Sequence, residues 1–115
     1  MQAAGEKLRR VRESLDLTMR GVEEASRGIA DRHQAREFTL GVSRLSDIEN
    51  RGVLPSVYRL YSLSVIYRVD LNEILDWYGL DVGSIAADSA AVAIGCTHLI
   101  RFAPHSRGYA RVPLE

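Results

Sequence analysis

Polar side chains in residues 41–55 have the types and the spacing that contact with nucleic acid requires. The stretch reads Gly-Val-Ser-Arg-Leu-Ser-Asp-Ile-Glu-Asn-Arg-Gly-Val-Leu-Pro. Hydroxyl, carboxylate and guanidinium groups can hydrogen-bond a base edge or a phosphate, and this stretch supplies all three. The candidate contact residues are Ser43, Arg44, Ser46, Asp47 and Arg51. Arg44 has the side chain that can donate two parallel hydrogen bonds to guanine.

The same stretch predicts one short helix with two different faces. Leu45, Ile48 and the flank of Glu49 form an inner face at helical spacing, which leaves the polar side chains for the opposite side. A helix of this kind fits the major groove of DNA, which admits one α-helix. The alternative is that these side chains form the ordinary solvent-facing surface of a small helix.

Other kinds of chemistry find little support in the residues. Cys96, His98 and His105 are the only plausible metal ligands, and they lack the paired spacing and the fourth ligand of zinc sites. The chain has no His-Glu-x-x-His motif, no phosphate-cradling glycine-rich loop and no nucleophile elbow. We therefore expect no metal, no cofactor and no catalytic activity.

Helical spacing of apolar residues predicts the elements that position the candidate residues. The first helix covers about residues 4–14, because Leu8, Val11 and Leu15 recur at i, i+3 and i+7. Thr18 is a good N-cap for the second helix. The inward stripe of that helix is predicted to be Val22, Ala25, Ser26, Ile29 and His33.

A segment at residues 28–40 separates the second helix from the third. We expect it to extend the second helix and to return through an extended stretch at residues 37–40. In that arrangement Phe38 and Leu40 fill the core, and Ser43 becomes the N-cap of the third helix.

The fourth and fifth helices are predicted from their start signals. Ser56 after Pro55 restarts the chain, and a capping box begins at Asp70, with Gly79 as the stop. The inward residues of the fourth helix are predicted to be Val57, Leu60, Tyr61 and Ser64. Core packing is the first interpretation of the aromatic residues here, and a dimer interface is the alternative: Tyr58, Tyr61, Tyr67, Trp77 and Tyr78.

The pattern changes near residue 80, which predicts a domain at residues 1–80 and a linker or dimerisation tail at residues 81–115. Residues 85–94 are small and apolar without a firm period, whereas residues 96–102 are β-branched and strand-like. We therefore expect an all-α domain followed by a tail with strand character, which can pair with a second chain.

Composition limits the cellular setting and the partners. The 115 residues include 15 basic and 15 acidic residues, so any DNA-binding face must arise from the sorting of charge in three dimensions. One cysteine excludes an intrachain disulfide, and no apolar run approaches the roughly 20 residues that cross a bilayer. With no signal-peptide pattern, these features favour a cytoplasmic protein without membrane contact.

Three stretches carry a family resemblance: Leu17-Thr18, residues 41–55 and the run from Pro55 to Leu60. Over residues 5–79, the chain resembles the Cro/C1-type (XRE-like) helix-turn-helix family. The resemblance implies a five-helix, lambda-repressor-like bundle. This chain departs from the family at residues 28–40, a segment that extends the second helix and is inserted where the family has a turn of about four residues. It also implies a sequence-specific transcriptional regulator that binds double-stranded DNA, with the third helix in the major groove. Family members commonly form homodimers that match two half-sites.

The family pattern also implies roles for individual residues outside the third helix. Thr18 and Arg20, at the start of the second helix, are placed to contact phosphate. Met19 stands where the family commonly has a glutamine, and Glu23 stands where it usually has a small alanine. The resemblance implies a buried contact between Glu49 and an arginine, with Arg12 as the partner.

Two questions remain open at the level of sequence. The alternative function is a protein-interaction module with the same fold, of the kind found in antitoxins or in domains that bind a second regulator. It is motivated by the neutral charge, Met19 and Glu23. Leu114-Glu115 has the look of cloning-site residues, so either a C-terminal effector domain follows residue 115 or the chain ends there naturally.

Overall fold

The computed structural model describes residues 4–92, which form helices joined by turns and loops, and this part of the chain contains no strand. Six α-helices follow one another: α1 (Ala4–Ser14), α2 (Met19–His33), α3 (Val42–Asn50), α4 (Val57–Tyr67), α5 (Leu71–Trp77) and α6 (Ile85–Ala91). Two short 3₁₀ helices lie at Arg36–Phe38 and Val82–Ser84. The prediction of an all-α fold is confirmed for the described residues. The chain divides into two compact units, one ending at Val82 and the other beginning at Gly83.

The start of the predicted tail is a helix. Residues Ile85–Ala91 form α6, although the sequence shows no firm apolar period there. Four of its seven residues are alanine, which has the highest helix propensity, so local preference decides the conformation. The strand-like stretch at residues 96–102 lies outside the described residues, as do Cys96, His98 and His105.

The core of the first unit holds α3 between α1 and α2. Helix α3 packs on both of these helices, α4 packs on α2 and α5, and α5 also contacts α1. The buried cluster consists of Leu8, Val22, Leu40, Leu45, Ile48, Leu60, Leu63, Tyr67 and Ile74. Because α3 contributes both of its large apolar side chains to this cluster, its opposite face stays outward.

The helix starts predicted at Thr18, Ser56 and Asp70 are confirmed, and the N-cap predicted at Ser43 is wrong. The side chains of Thr18, Ser56 and Asp70 each accept a backbone hydrogen bond at the start of α2, α4 and α5. Helix α3 begins two residues earlier than predicted, with Gly41 as its N-cap and no side-chain cap. The Leu45 amide bonds the Gly41 carbonyl at 2.9 Å, so Ser43 lies inside the first turn.

The segment before α3 differs from the predicted extended stretch. It forms the 3₁₀ turn Arg36–Phe38, and Thr39 directly after the turn is extended. Leu40 fills the core as predicted, because its side chain is fully buried. Phe38 is only half-buried, and its ring stacks on His33 with centroids 4.6 Å apart.

Buried side chains from two helices fix this segment. Ser62 Oγ donates to the Phe38 carbonyl at 2.7 Å, and the Leu40 amide donates to Ser26 Oγ at 2.7 Å. Ser26 and Ser62 are themselves fully buried. The position at which α3 begins is therefore set by hydrogen bonds from α2 and α4.

The exposed face of α4 includes residues that were predicted to face inward. Val57 and Tyr61, predicted to face inward, are 72% and 41% exposed. Leu60 is buried as predicted, and the rest of the inward side is formed by Ser62, Leu63 and Tyr67. Leu15, Ala25 and His33, which were predicted to line the inward stripes of α1 and α2, are also exposed.

Candidate nucleic-acid interface

Close contact between α1 and the end of α3 fixes α3, the helix predicted to enter the major groove. A Cβ added at Gly5 would overlap the carbonyl oxygen of Ile48 and lie 2.9 Å from that of Glu49. Only a glycine allows the two backbones to approach this closely. The buried side chains of Leu45 and Ile48 anchor the same helix from within.

A buried ion pair completes the anchoring of α3. Arg12 Nε donates to Glu49 Oε2 at 2.7 Å, and Arg12 NH2 donates to Glu49 Oε1 at 2.9 Å. Arg12 NH1 also donates to the Leu17 carbonyl at 3.0 Å. The hydrogen bond with Glu49 raises the pKa of Arg12, against the opposing effect of burial. The structural contact between Arg12 and Glu49 is confirmed.

The outward side of α3 carries three of the predicted contact residues in one open cleft. Ser43 and Arg44 are exposed, and Asp47 is half-buried. They line a cleft of about 410 Å³ together with Thr39, Gly41, Val53 and Arg59. The cleft is thus shared between the start of α3, the segment before it and the first turn of α4.

The other two predicted residues of this stretch have partners on α3. Asp47 Oδ1 lies 3.7 Å from Arg51 Nη1, and the Arg51 side chain is exposed. Ser46 Oγ accepts from Asn50 Nδ2 at 3.3 Å, and Asn50 Oδ1 accepts from Arg9 NH1 on α1 at 3.3 Å. Ser46 therefore lies on the side of α3 that is tied to α1.

Thr18 and Arg20 lie at the start of α2, apart from the cleft lining. Thr18 Oγ1 accepts from the Gly21 amide at 2.9 Å, which is the predicted capping bond, and the Arg20 side chain is exposed. Met19 packs against the core, so it is not placed for a polar contact.

The Glu23 carboxylate lies next to the start of α3. It pairs with Arg27 at 3.0 Å, and a Cβ on Gly41 would lie 3.8 Å from Glu23 Oε2. The carboxylate is therefore beside the first turn of α3, where the positive end of a helix dipole favours a negative charge.

Arg59 is a cleft residue that sequence reasoning missed. Its Nε donates to the Thr39 carbonyl at 2.8 Å, and the side chain is half-buried. Burial lowers the pKa of Arg59, and the charge of Arg44 lowers it further. Arg59 reaches the cleft because α4 packs against the segment before α3. The spacing of nearby residues in the sequence does not predict that packing.

Within residues 4–92, no group of three or more His, Cys, Asp or Glu side chains is arranged to hold a metal ion. None of the described helices combines the length and the apolar character that crossing a membrane requires. Comparison with known proteins found no matching protein-family model, curated protein or solved structure.

Proposed function

We propose that the first unit is a helix-turn-helix domain of the Cro/C1 type and that the protein is a sequence-specific, DNA-binding transcriptional regulator. One observation carries the proposal: α3 is short, its inner side is fixed by a buried ion pair and apolar anchors, and its outer side offers Ser43 and Arg44 to solvent. A rigidly held helix with exposed polar side chains suits the major groove.

The proposed roles follow from the chemistry of each side chain. Arg44 donates two hydrogen bonds to the O6 and N7 atoms of guanine, and Asp47 accepts from the amino group of cytosine. Ser43 supports either base through its hydroxyl. Thr18 and Arg20, at the start of α2, hold a backbone phosphate, because helix starts favour anions. Arg51 contacts the backbone from the end of α3.

Local charge supports this proposal despite a net charge of zero. Within the described residues, Arg20 and Arg44 form no ion pair, whereas Arg12, Arg27 and Arg51 do. Arginines without a carboxylate partner keep their full charge for a phosphate or a base edge. We propose a homodimer on two half-sites about one helical turn apart.

The proposal is tested by titrating Arg44→Ala on the duplex that the parent protein binds most tightly. Loss of the guanine contact should weaken binding by about 1–3 kcal/mol and relax specificity at one base pair. Arg10→Ala is the matched control, because Arg10 is an exposed arginine of α1 that pairs with Glu6 on the surface. Equal binding and equal selectivity of both variants would remove Arg44 from base recognition.

A second candidate function, a protein-interaction module, is favoured by an exposed apolar face on α4. Val57, Tyr58, Tyr61 and Val65 repeat at helical spacing, and Leu54 before them is 68% exposed. Apolar surface of this kind marks contact sites for other proteins. Two measurements distinguish the candidates. Sedimentation of the parent and of Val57→Lys reports whether the apolar face of α4 holds a dimer together, and titration with duplex reports DNA binding. A monomer that binds no duplex would favour the interaction module over the regulator.

A further inference from the structure

The cleft beside α3 joins two arginines from different helices, and its chemistry points to an anion. We propose that this cleft binds a phosphate group. Without DNA, Arg59 of α4 is the main ligand and Arg44 of α3 is the second; on a duplex, where Arg44 contacts guanine, Arg59 alone holds the phosphate. The proposed DNA-binding function supplies the phosphate as a backbone phosphodiester, and the inference rests on that function for this source only. Free phosphate is the other source of the same chemistry.

Arg59 is held in position before any ligand arrives. Its Nε is fixed on the Thr39 carbonyl at 2.8 Å, and the neighbouring Phe38 carbonyl is fixed by the buried Ser62 hydroxyl at 2.7 Å. The two terminal nitrogens of the guanidinium group remain available to the cleft. A side chain that is already oriented loses little conformational freedom when it binds.

The charges in the cleft are not balanced by the protein. No ion pair involves Arg44 or Arg59 among the described residues, and the positive charge of Arg44 acts on Arg59 directly. The Glu37 carboxylate has a smaller, opposing effect on Arg59. Asp47 also lines the cleft, but its carboxylate faces Arg51 at 3.7 Å. An anion between the two guanidinium groups would relieve their mutual repulsion.

The donor set fits phosphate better than a carboxylate or a halide. Guanidinium groups present planar, paired donors that match phosphate oxygens, and two of them can share one tetrahedral group. The Ser43 hydroxyl adds a donor on the same cleft wall. Because the cleft is open and adjoins the helix proposed to enter the major groove, a phosphodiester beside that groove can reach it.

The first test compares the salt dependence of DNA binding for the parent and Arg59→Gln. Loss of one phosphate contact should make the negative slope of log K against log salt shallower by about 1. It should also weaken binding to every sequence by a similar factor. Arg10→Gln, with its side chain on α1, should leave the slope unchanged. An unchanged slope in Arg59→Gln overturns the phosphodiester contact.

The second test adds inorganic phosphate to the isotope-labelled protein at constant ionic strength and follows the arginine side-chain signals by NMR. The Arg59 and Arg44 signals should shift and saturate in the parent, and the Arg44 shift should be lost in Arg59→Gln. Saturation without binding of any duplex would support the cleft and contradict the proposed regulator. Duplex binding with an unchanged slope and no saturation would support the regulator and overturn the cleft.

A third variant separates ligand binding from a structural role. Arg59→Lys keeps the charge but loses the planar group that bonds the Thr39 carbonyl, so it should retain the salt slope of the parent. Unfolding in urea reports the cost of the lost bond. If Lys and Gln variants lose the same slope and the same unfolding free energy, Arg59 only supports the fold and the proposal is overturned.

Discussion

Arg12 and Glu49 join α1 to the end of α3 through two parallel hydrogen bonds of 2.7 and 2.9 Å. The Glu49 side chain is fully buried, and that of Arg12 is 11% exposed, so water screens the pair little. A third bond from Arg12 reaches the Leu17 carbonyl just before α2. One guanidinium group therefore ties α1, the approach to α2 and α3 together.

Removal of one partner should destabilise the fold strongly. Glu49→Ala leaves the Arg12 charge buried without its carboxylate, which is expected to cost about 3–5 kcal/mol in the free energy of unfolding. Urea unfolding of the parent and the variant measures this cost. The double variant Arg12→Met, Glu49→Leu is the informative companion, since an apolar pair should recover much of the loss. A cost below about 1 kcal/mol for Glu49→Ala would contradict the anchoring role, because exposed pairs have that value.

Two glycines should respond to alanine in opposite directions. Gly5→Ala forces the α1 and α3 backbones apart, because the new methyl group overlaps the Ile48 carbonyl. It should lower the free energy of unfolding by about 1–3 kcal/mol. Gly28→Ala lies in the exposed interior of α2 with open space around it, and should stabilise by about 0.5–1 kcal/mol. Thermal unfolding compares the two. Equal effects would contradict the close packing at Gly5.

Tyr67 should make stability fall at alkaline pH. Burial, and then the nearby Glu49 charge, raise the pKa of Tyr67 above its ordinary value of about 10. Above that pH the unfolded chain releases this proton while the folded chain keeps it, so folding stability is full below pH 10 and declines above it. The decline approaches about 1.4 kcal/mol per pH unit for one group.

Tyr67→Phe is the control for this pH dependence. The Tyr67 hydroxyl has no hydrogen-bond partner within the described part of the chain, so its removal should change stability little at pH 7. The variant should lose stability less steeply than the parent between pH 9 and 11. Burial also raises the pKa of Tyr78 to about 12, so some decline remains in the variant. Identical curves for parent and variant would contradict the assignment to Tyr67.

The buried serine of α2 should control the entry into α3. Ser26→Ala leaves the buried Leu40 amide without its partner, which should cost about 1–3 kcal/mol and speed hydrogen exchange at Leu40. Ser14→Ala, which removes an exposed bond to the Val11 carbonyl, is the matched control and should cost far less. Slow exchange at Leu40 in Ser26→Ala would show that another group satisfies this amide.

Local signals explain which structural features could be predicted from the sequence. N-caps at Thr18, Ser56 and Asp70 depend on residues within one turn, so their side-chain types identify them. The contact of Arg12 with Glu49 spans 37 positions, and only the family resemblance predicted it.

Tertiary contacts explain the predictions that were wrong. Helix α4 has two apolar stripes at the same spacing, one through Val57 and Tyr61 and one through Leu60 and Leu63, and periodicity cannot rank them. The bond from Ser62 to the Phe38 carbonyl shows which stripe faces inward. The role of Arg59 in the cleft was invisible for the same reason, because it requires the segment before α3 to be placed first.

Selection of bound duplexes from a random DNA pool, followed by titration of the best sequence at two salt concentrations, tests the central proposal most directly. A sequence-specific dimer should enrich a palindromic sequence, and its affinity should fall steeply with salt because several phosphates are neutralised. No enriched sequence, or an affinity that salt leaves unchanged, would contradict DNA recognition by α3.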